Sequence, residues 1–265
     1  MPYPTATPEQ IQAFADHGFI VVADAIDIGD LAHLRARCEM IIEQKDKLAL
    51  DWAWQAGTSV AEREFAILQS SPTLIWPTEF TNAPFRRWAV QFASALMLQH
   101  VEFWYDQFLA KPPVTGAQTF WHQDEAYWGR NLDNRGITCW MPFHDVSIEN
   151  GCMQFIDRGH NEGVLTHRRP DNIQSDLLYC EPNTTWRVAT PVRVGSVTFH
   201  HSKTPHMTGP NVTDRWRKVL TQHLRTVGSP GEGDHYPWKV TVTQDSLSAE
   251  RIAAALRSAE AADTA

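Results

Sequence analysis

His122 and Asp124 stand two residues apart in the stretch Thr119-Phe120-Trp121-His122-Gln123-Asp124-Glu125-Ala126-Tyr127-Trp128. On an extended strand residues i and i+2 share a face, so this imidazole and carboxylate can grip one cation from the same side. A third ligand has to come from elsewhere. The best source is Phe199-His200-His201-Ser202-Lys203-Thr204-Pro205-His206-Met207-Thr208-Gly209-Pro210-Asn211, where strand-like residues run into histidines. By spacing alone His201 and His206 are nearly equal as the third ligand, and His200 borders the same pocket. Two histidines and one carboxylate on one face, with open positions opposite, form the donor set of non-haem Fe(II) oxygenases.

The rest of the chain must position these groups. It has 265 residues, 43% of them hydrophobic and 11% aromatic, enough to bury a large core. No Gly/Ser-rich or Pro-rich linker divides it, so it reads as one domain over 1–265. The formal charge of -8 argues against nucleic acid or an anionic membrane as the main partner, and leaves a small molecule. Cys38, Cys139, Cys152 and Cys180 form no C-x-x-C pair and read as reduced, buried thiols. The N-terminus lacks a signal pattern and no apolar run is long enough to span a bilayer, which points to a cytoplasmic protein. Asn183-Thr184-Thr185 and Asn211-Val212-Thr213 match the glycosylation pattern by chance on this reading.

Thr7-Pro8-Glu9-Gln10 carries the signals of a helix start, with Thr7 as N-cap, proline at N1 and glutamine at N3. A helix is expected to about Gly18, then a strand over Phe19-Ile20-Val21-Val22. Leu31, Leu34, Cys38, Ile41 and Ile42 recur at helical spacing and predict a second helix over 30 to about 47. A third is expected over 84 to about 98. From residue 101 the pattern turns to short β-like runs: 101–109, 118–122, 136–145, 152–156, 192–200 and 217–226, with Asn150-Gly151 suited to a tight hairpin. This order predicts a mainly β fold: a jelly roll over about 101–226, buttressed by helices within 1–100. The irregular stretch 161–186 is a candidate active-site lid, and 246–265 a frayed helical tail.

The sequence resembles the phytanoyl-CoA dioxygenase family of Fe(II)- and 2-oxoglutarate-dependent oxygenases. The resemblance rests on Lys111-Pro112-Pro113 followed by His122-Gln123-Asp124, then Asn150-Gly151-Cys152-Met153-Gln154-Phe155 with Gly159-His160. Its last mark is His206-x-x-Gly209-Pro210-Asn211-x-Thr213 followed by Arg217. It implies a double-stranded β-helix, cupin-like core, with His122, Asp124 and His206 as the catalytic iron ligands. It makes Arg217 the partner of the distal carboxylate of 2-oxoglutarate, and a guanidinium suits that role because it forks onto a carboxylate with two charge-assisted bonds. Arg215 competes with Arg217, since the two share a face if the strand includes both; the offset from His206 in the family pattern favours Arg217. Thr208 is the hydroxyl beside that arginine, and Gln123, Trp140, His160 and Gln107 stand at positions that line the cosubstrate pocket in the family.

Fe(II), 2-oxoglutarate and O2 are the implied cofactors, and hydroxylation of a small molecule the implied reaction. Asp124 matters to that choice, because halogenating relatives replace this carboxylate with a small residue. Trp121, Tyr127, Trp128 and Phe143 are candidates to line an apolar or mixed substrate. His144, His167, His223 and His235 receive no role, since an isolated histidine is more often structural than a ligand. Two alternatives keep the same residues: a zinc hydrolase, for which Arg217 and Thr208 have no use, and a catalytically silent binding module.

Overall fold

A computed structural model of the protein describes residues 3–43, 51–55, 67–127, 136–169, 173–174 and 178–226. The chain forms two antiparallel sheets with helices packed against the larger one, the β-rich jelly-roll arrangement expected from the sequence. Among the described residues no helix is long and apolar enough to cross a membrane.

Helix α1 (Pro8–His17) opens with the capping box: the Gln10 amide donates to Thr7 Oγ1 while the Gln10 side chain accepts from the Thr7 amide. It ends at Gly18, whose φ of 78° is open to glycine at little cost. Strand β1 (Phe19–Val22) follows, then α2 (Ile28–Glu43), which buries Leu31, Leu34, Cys38 and Ile41. The expected extension of α2 to residue 47 lies outside the described residues. Beyond the expected β1, the N-terminal part holds two strands that the sequence reading did not predict. Strands β2 (Asp51–Gln55) and β3 (Ile67–Ser70) join the large sheet before the short helices α3 (Pro72–Ile75) and α4 (Pro77–Thr81). At five and four residues, β2 and β3 are too short to carry a period that the sequence could reveal. Helix α5 (Pro84–Leu96) buries Phe85, Trp88, Ala89, Phe92, Ala93 and Leu96.

The remaining strands are β4 (Val101–Lys111), β5 (Thr119–His122), β6 (Gly136–Pro142), β7 (Met153–Ile156), β8 (Ile173–Gln174), β9 (Arg187–Thr190), β10 (Val197–His201), β11 (His206–Thr208) and β12 (Arg217–Thr226). The large sheet runs β1-β10-β6-β12-β4-β3-β2-β8, and the small one β5-β11-β7-β9. Alternation divides the large sheet's faces. Cys139, Met141, Phe199, Leu220, Leu224 and Phe108 pack with the helices, Phe92 stacking on Phe199 at 5.2 Å. Trp140, Val219, Cys152, Met153 and Phe155 fill the space between the sheets.

Three expectations need correction. The run 192–200 is shorter: β10 starts at Val197 because Gly195 turns the chain at φ 89°, and Val192 makes only an isolated bridge to Val146. Asn150-Gly151 is a turn but not a hairpin. Gly151 adopts φ 87° and the Asn150 side chain binds the Ser147 amide and Asp145 carbonyl, yet the strands it joins, β6 and β7, belong to different sheets. The stretch 161–186 is partly paired, through the Arg168–Tyr179 bridge and the β8–β2 contact. The expected tail over 246–265 lies outside the described residues. All four cysteines are free and buried.

Candidate metal and cosubstrate site

Strand β11 lies between β5 and β7, and its register sets His206 directly opposite His122. Opposed residues of an antiparallel pair share a face, so the two rings meet with centroids 4.1 Å apart. Asp124 joins them by a different route from the one the i, i+2 spacing implied. Strand β5 stops at His122, and Asp124 begins a 3-10 helix over Asp124–Tyr127. That turn delivers the carboxylate to the imidazoles, with Oδ1 3.5 Å from His206 Nε2 and 3.8 Å from His122 Nε2. One donor atom from each of the three lies within 4.8 Å of the others. Asp124 and His206 are buried and His122 nearly so.

The surrounding bonds prepare these atoms for a cation. His122 Nδ1 donates to the Phe120 carbonyl at 2.7 Å, and His206 Nδ1 to the Thr204 carbonyl at 2.9 Å. A carbonyl only accepts, so each ring carries its proton on Nδ1 and turns a bare Nε2 toward its partners. Burial, and next the proximity of the other ring, pull the His122 pKa down to about 3; burial and the nearby His200 pull that of His206 down to about 4. Both rings are therefore neutral at physiological pH, as a metal ligand must be. Burial pushes the Asp124 carboxyl up, but His206, His200 and His223 together hold it well below the usual range, as an anion.

Asp124 Oδ2 points away from the imidazole pair, onto the large sheet. Thr138 Oγ1 donates to it at 2.6 Å and His200 Nε2 at 3.3 Å, and His223 Nδ1 stands 3.6 Å away. These three form one cross-strand row: His200 on β10 faces Thr138 on β6, which faces His223 on β12. His223 stacks on Tyr105 of β4 at 4.2 Å, and its Nε2 meets the Gln107 side-chain oxygen Oε1 at 3.0 Å. His223 was given no role from the sequence, yet it belongs to the site. Parity could have found it, since it shares the cavity face of β12 with Arg217.

A cavity opens beside the triad, lined by Gln107, Thr119, Trp140, Thr208, Arg217 and Thr221 among others. Arg217 is 1% exposed. Among the described residues its only bond is a long one, 3.5 Å from Nη1 to the Leu109 carbonyl, and its buried Nε finds no partner there. Burial lowers its pKa to about 9, which leaves it a cation at neutral pH without a carboxylate partner among the described residues. Arg215, the competitor, precedes the strand and is nine-tenths exposed beside Asp214.

Other expected residues fall elsewhere. Gln123 does not line the cavity: strand alternation ends at His122, and its amide ties Gly163, Leu165 and Lys203 together. His160 sits in a 3-10 helix against Gly18, with Nε2 on the Ala15 carbonyl, and is remote from the cavity. His201 faces away from His200, as neighbours on a strand do, and accepts from the Lys203 amide. Phe143 is core, packed on Phe108 at 6.2 Å, because it follows the end of β6 on the helix-covered side. Tyr127 is edge-on to His122 at 5.9 Å, and its hydroxyl accepts from the Leu178 amide. The Trp121 carbonyl accepts from the Cys180 amide, so both aromatic residues join the 178–180 segment to the site. Trp128 and His235 lie outside the described residues. Buried Asn211 spends its amide on the Lys111, Pro112 and Arg215 carbonyls, which removes it as a glycosylation site.

The donor set and the unpartnered buried cation fit an iron ion and a dicarboxylate cosubstrate in one cavity. The family model for phytanoyl-CoA dioxygenase (PhyH) matches residues 14–219. The chain belongs to the phytanoyl-CoA dioxygenase family. Among curated relatives, phytanoyl-CoA dioxygenase domain-containing protein 1 of Mus musculus is 29% identical over 134 residues, covering 47% of this chain and 46% of that one. Peroxisomal phytanoyl-CoA dioxygenase of Homo sapiens is 21% identical over 231 residues, 82% of this chain and 68% of that one. The chain thus matches about half the length of the first of these relatives and two thirds of the second. Among solved structures, EvdO2 from Micromonospora carbonacea var. aurantiaca, complexed with 2-oxoglutarate, superposes with a TM-score of 0.70 at 25% identity, covering 89% of this chain and 98% of that one.

Proposed function

We propose that this chain is an Fe(II)- and 2-oxoglutarate-dependent dioxygenase that hydroxylates an unactivated C–H bond of a small molecule, with release of succinate and CO2. The observation that carries this reading is the pairing, in one cavity, of a His122–Asp124–His206 donor set with a buried arginine that has no anionic partner among the described residues. The zinc-hydrolase alternative has no use for that arginine.

When bound, iron with 2-oxoglutarate and O2 supplies the oxidising chemistry. The protein's own residues hold and orient. His122, Asp124 and His206 are the ligands, and Thr138 keeps Asp124 Oδ2 engaged so that Oδ1 is the oxygen turned to the imidazoles. Arg217 and Thr208 take the far carboxylate of the cosubstrate, with Trp140 and Gln107 alongside. Asp124 fills the position that a halide needs in halogenating relatives, which favours hydroxylation. No protein base is required. Tyr127 is edge-on to His122 and tied to the Leu178 amide, and a mixed apolar small molecule suits such a surface. Bound 2-oxoglutarate in EvdO2 supports the cosubstrate assignment.

The test is an anaerobic titration with Fe(II) and 2-oxoglutarate, watching for the visible charge-transfer band of a chelated keto acid. The band is expected in the wild type and lost in His206→Ala. Tight zinc binding with no band under any Fe(II) condition would falsify the oxygenase reading.

A further inference from the structure

Lys111 ends β4 opposite Arg217 and is fully buried, yet the cosubstrate reading gives it no part. Its Nζ donates to Thr208 Oγ1 at 2.8 Å, to the Thr208 carbonyl at 3.2 Å and to the Gly209 carbonyl at 2.6 Å. An ammonium has three N–H groups and no lone pair, so these contacts use it completely. Thr208 Oγ1 must then be the acceptor of the pair, and its own proton is left to point away from Lys111. Thr208 lines the cavity that Arg217 lines, whereas Lys111 does not reach it. The lysine thus converts the Thr208 hydroxyl into a donor directed at whatever anion the arginine holds.

The lysine is itself held in place. Asn211 Nδ2 returns bonds to the Lys111 and Pro112 carbonyls, and Gly116 lies so close to Lys111 Cβ and Asn211 Cβ that a side chain there would meet them at 2.8 and 2.9 Å. The Lys-Pro-Pro and Gly-Pro-Asn stretches are one clasp in space. Among the described residues neither Lys111 nor Arg217 has a carboxylate partner, so two cations are buried side by side. Burial, and next the neighbouring arginine, hold the Lys111 pKa well below its usual value. An anion entering the cavity relieves that strain.

We propose that Lys111 is a positioning residue for the cosubstrate: by taking Thr208 Oγ1 as acceptor it aims the Thr208 hydroxyl at the distal carboxylate on Arg217. The proposal rests on the function proposed above. It places the effect of Lys111 at the far end of the dicarboxylate and leaves the chelating end untouched.

Two ligands separate these ends. Oxalate offers a chelating pair of oxygens and nothing more, while 2-oxoglutarate adds the distal carboxylate. Binding of each to the Co(II)-loaded protein is measured by calorimetry, with Co(II) affinity measured alongside. Lys111→Met is expected to raise the Kd for 2-oxoglutarate about tenfold, the equivalent of one good hydrogen bond. Oxalate and Co(II) affinities are expected to stay within about twofold by the same scale. Thr208→Ala should reproduce the loss, and adding Lys111→Met to it should cost little more, as for residues acting in series. Unchanged 2-oxoglutarate binding in Lys111→Met overturns the proposal. So do equal losses for both ligands or a loss of Co(II), which make the lysine merely structural, and so does full additivity in the double variant. A wild type that binds Co(II) and oxalate but never 2-oxoglutarate overturns the functional reading itself, and this proposal with it.

Discussion

Replacing Arg217 with methionine is expected to move stability and cosubstrate binding in opposite directions. Burial lowers the Arg217 pKa from its ordinary value to about 9. At 1.36 kcal/mol for each tenfold in proton affinity, that depression marks roughly 5 kcal/mol by which the folded protein disfavours the cation, an upper bound. The unfolded chain holds the proton more tightly, so the penalty is fully present below pH 9 and fades as pH rises from there toward the ordinary arginine value. Measurement at pH 7.5 therefore sees all of it. Methionine has similar length and no charge; set against lost packing and the weak Leu109 contact, it should stabilise the apoprotein by about 1–3 kcal/mol. The same change removes two charge-assisted hydrogen bonds to a carboxylate, worth about 1.5–3 kcal/mol each, so 2-oxoglutarate affinity should fall by a factor of about 10² or more. Urea unfolding of the apoprotein reads the first quantity. Thermal stabilisation by Co(II) with and without 2-oxoglutarate reads the second. If apo Arg217→Met is less stable than wild type by more than about 1 kcal/mol, the arginine is a structural residue with an anion-independent partner, and the reasoning fails. It fails equally if 2-oxoglutarate still stabilises the variant.

Other outcomes follow from the same contacts. Asp106 accepts from buried Arg86 at 2.9 Å and from Ser71 and Thr73, so Asp106→Ala should cost about 3–5 kcal/mol in urea unfolding, and Arg86→Met in the same chain should restore part of it. A loss below 1 kcal/mol on that scale would show the pair to be dispensable. Thr138→Val frees Asp124 Oδ2 from its shortest bond and should weaken Co(II) binding about 10- to 100-fold, whereas Thr138→Ser should not; equal affinities would remove Thr138 from the site. Because the His122 and His206 pKa values are depressed in the folded protein, each contributes stability that is present above the unfolded value near 6.5 and lost as pH falls toward 3–4. Between pH 7 and pH 5 the apoprotein should lose roughly 2 kcal/mol for each of them, read from urea midpoints. A flat profile would mean that the rings are not buried as bases.

Much of the site was legible because its parts sit in local motifs. The capping box of α1 and all of β12 (Arg217–Thr226) follow from short-range patterns, and both appear as expected. Parity along a strand fails where a strand ends. His122 closes β5 and Asp124 starts a 3-10 turn, so Gln123 leaves the cavity for the 163–165 segment and the expected alternation no longer applies. Parity likewise left Arg215 and Arg217 open; β12 begins at Arg217, which lines the cavity, and Arg215 is exposed before it. His223 was passed over because a lone histidine carries no signal, and His200 was placed only at the border of the pocket; the significance of both is a shared register with Thr138, a relation among three strands.

The sequence by itself determined the chemistry available: which side chains can bind a cation, which can hold a carboxylate, and the order in which they occur. Residue type and short-range spacing decide those, and both are written along the chain. Tertiary structure decided which histidine faces His122, which oxygen of Asp124 is left for a metal, and that Lys111 stands behind Thr208. Those depend on strand register between segments far apart in sequence, and on the burial that leaves an arginine without a carboxylate partner among the described residues. Neither register nor burial has a local signature, because each is set by hydrogen bonds and packing with residues the local sequence does not contain.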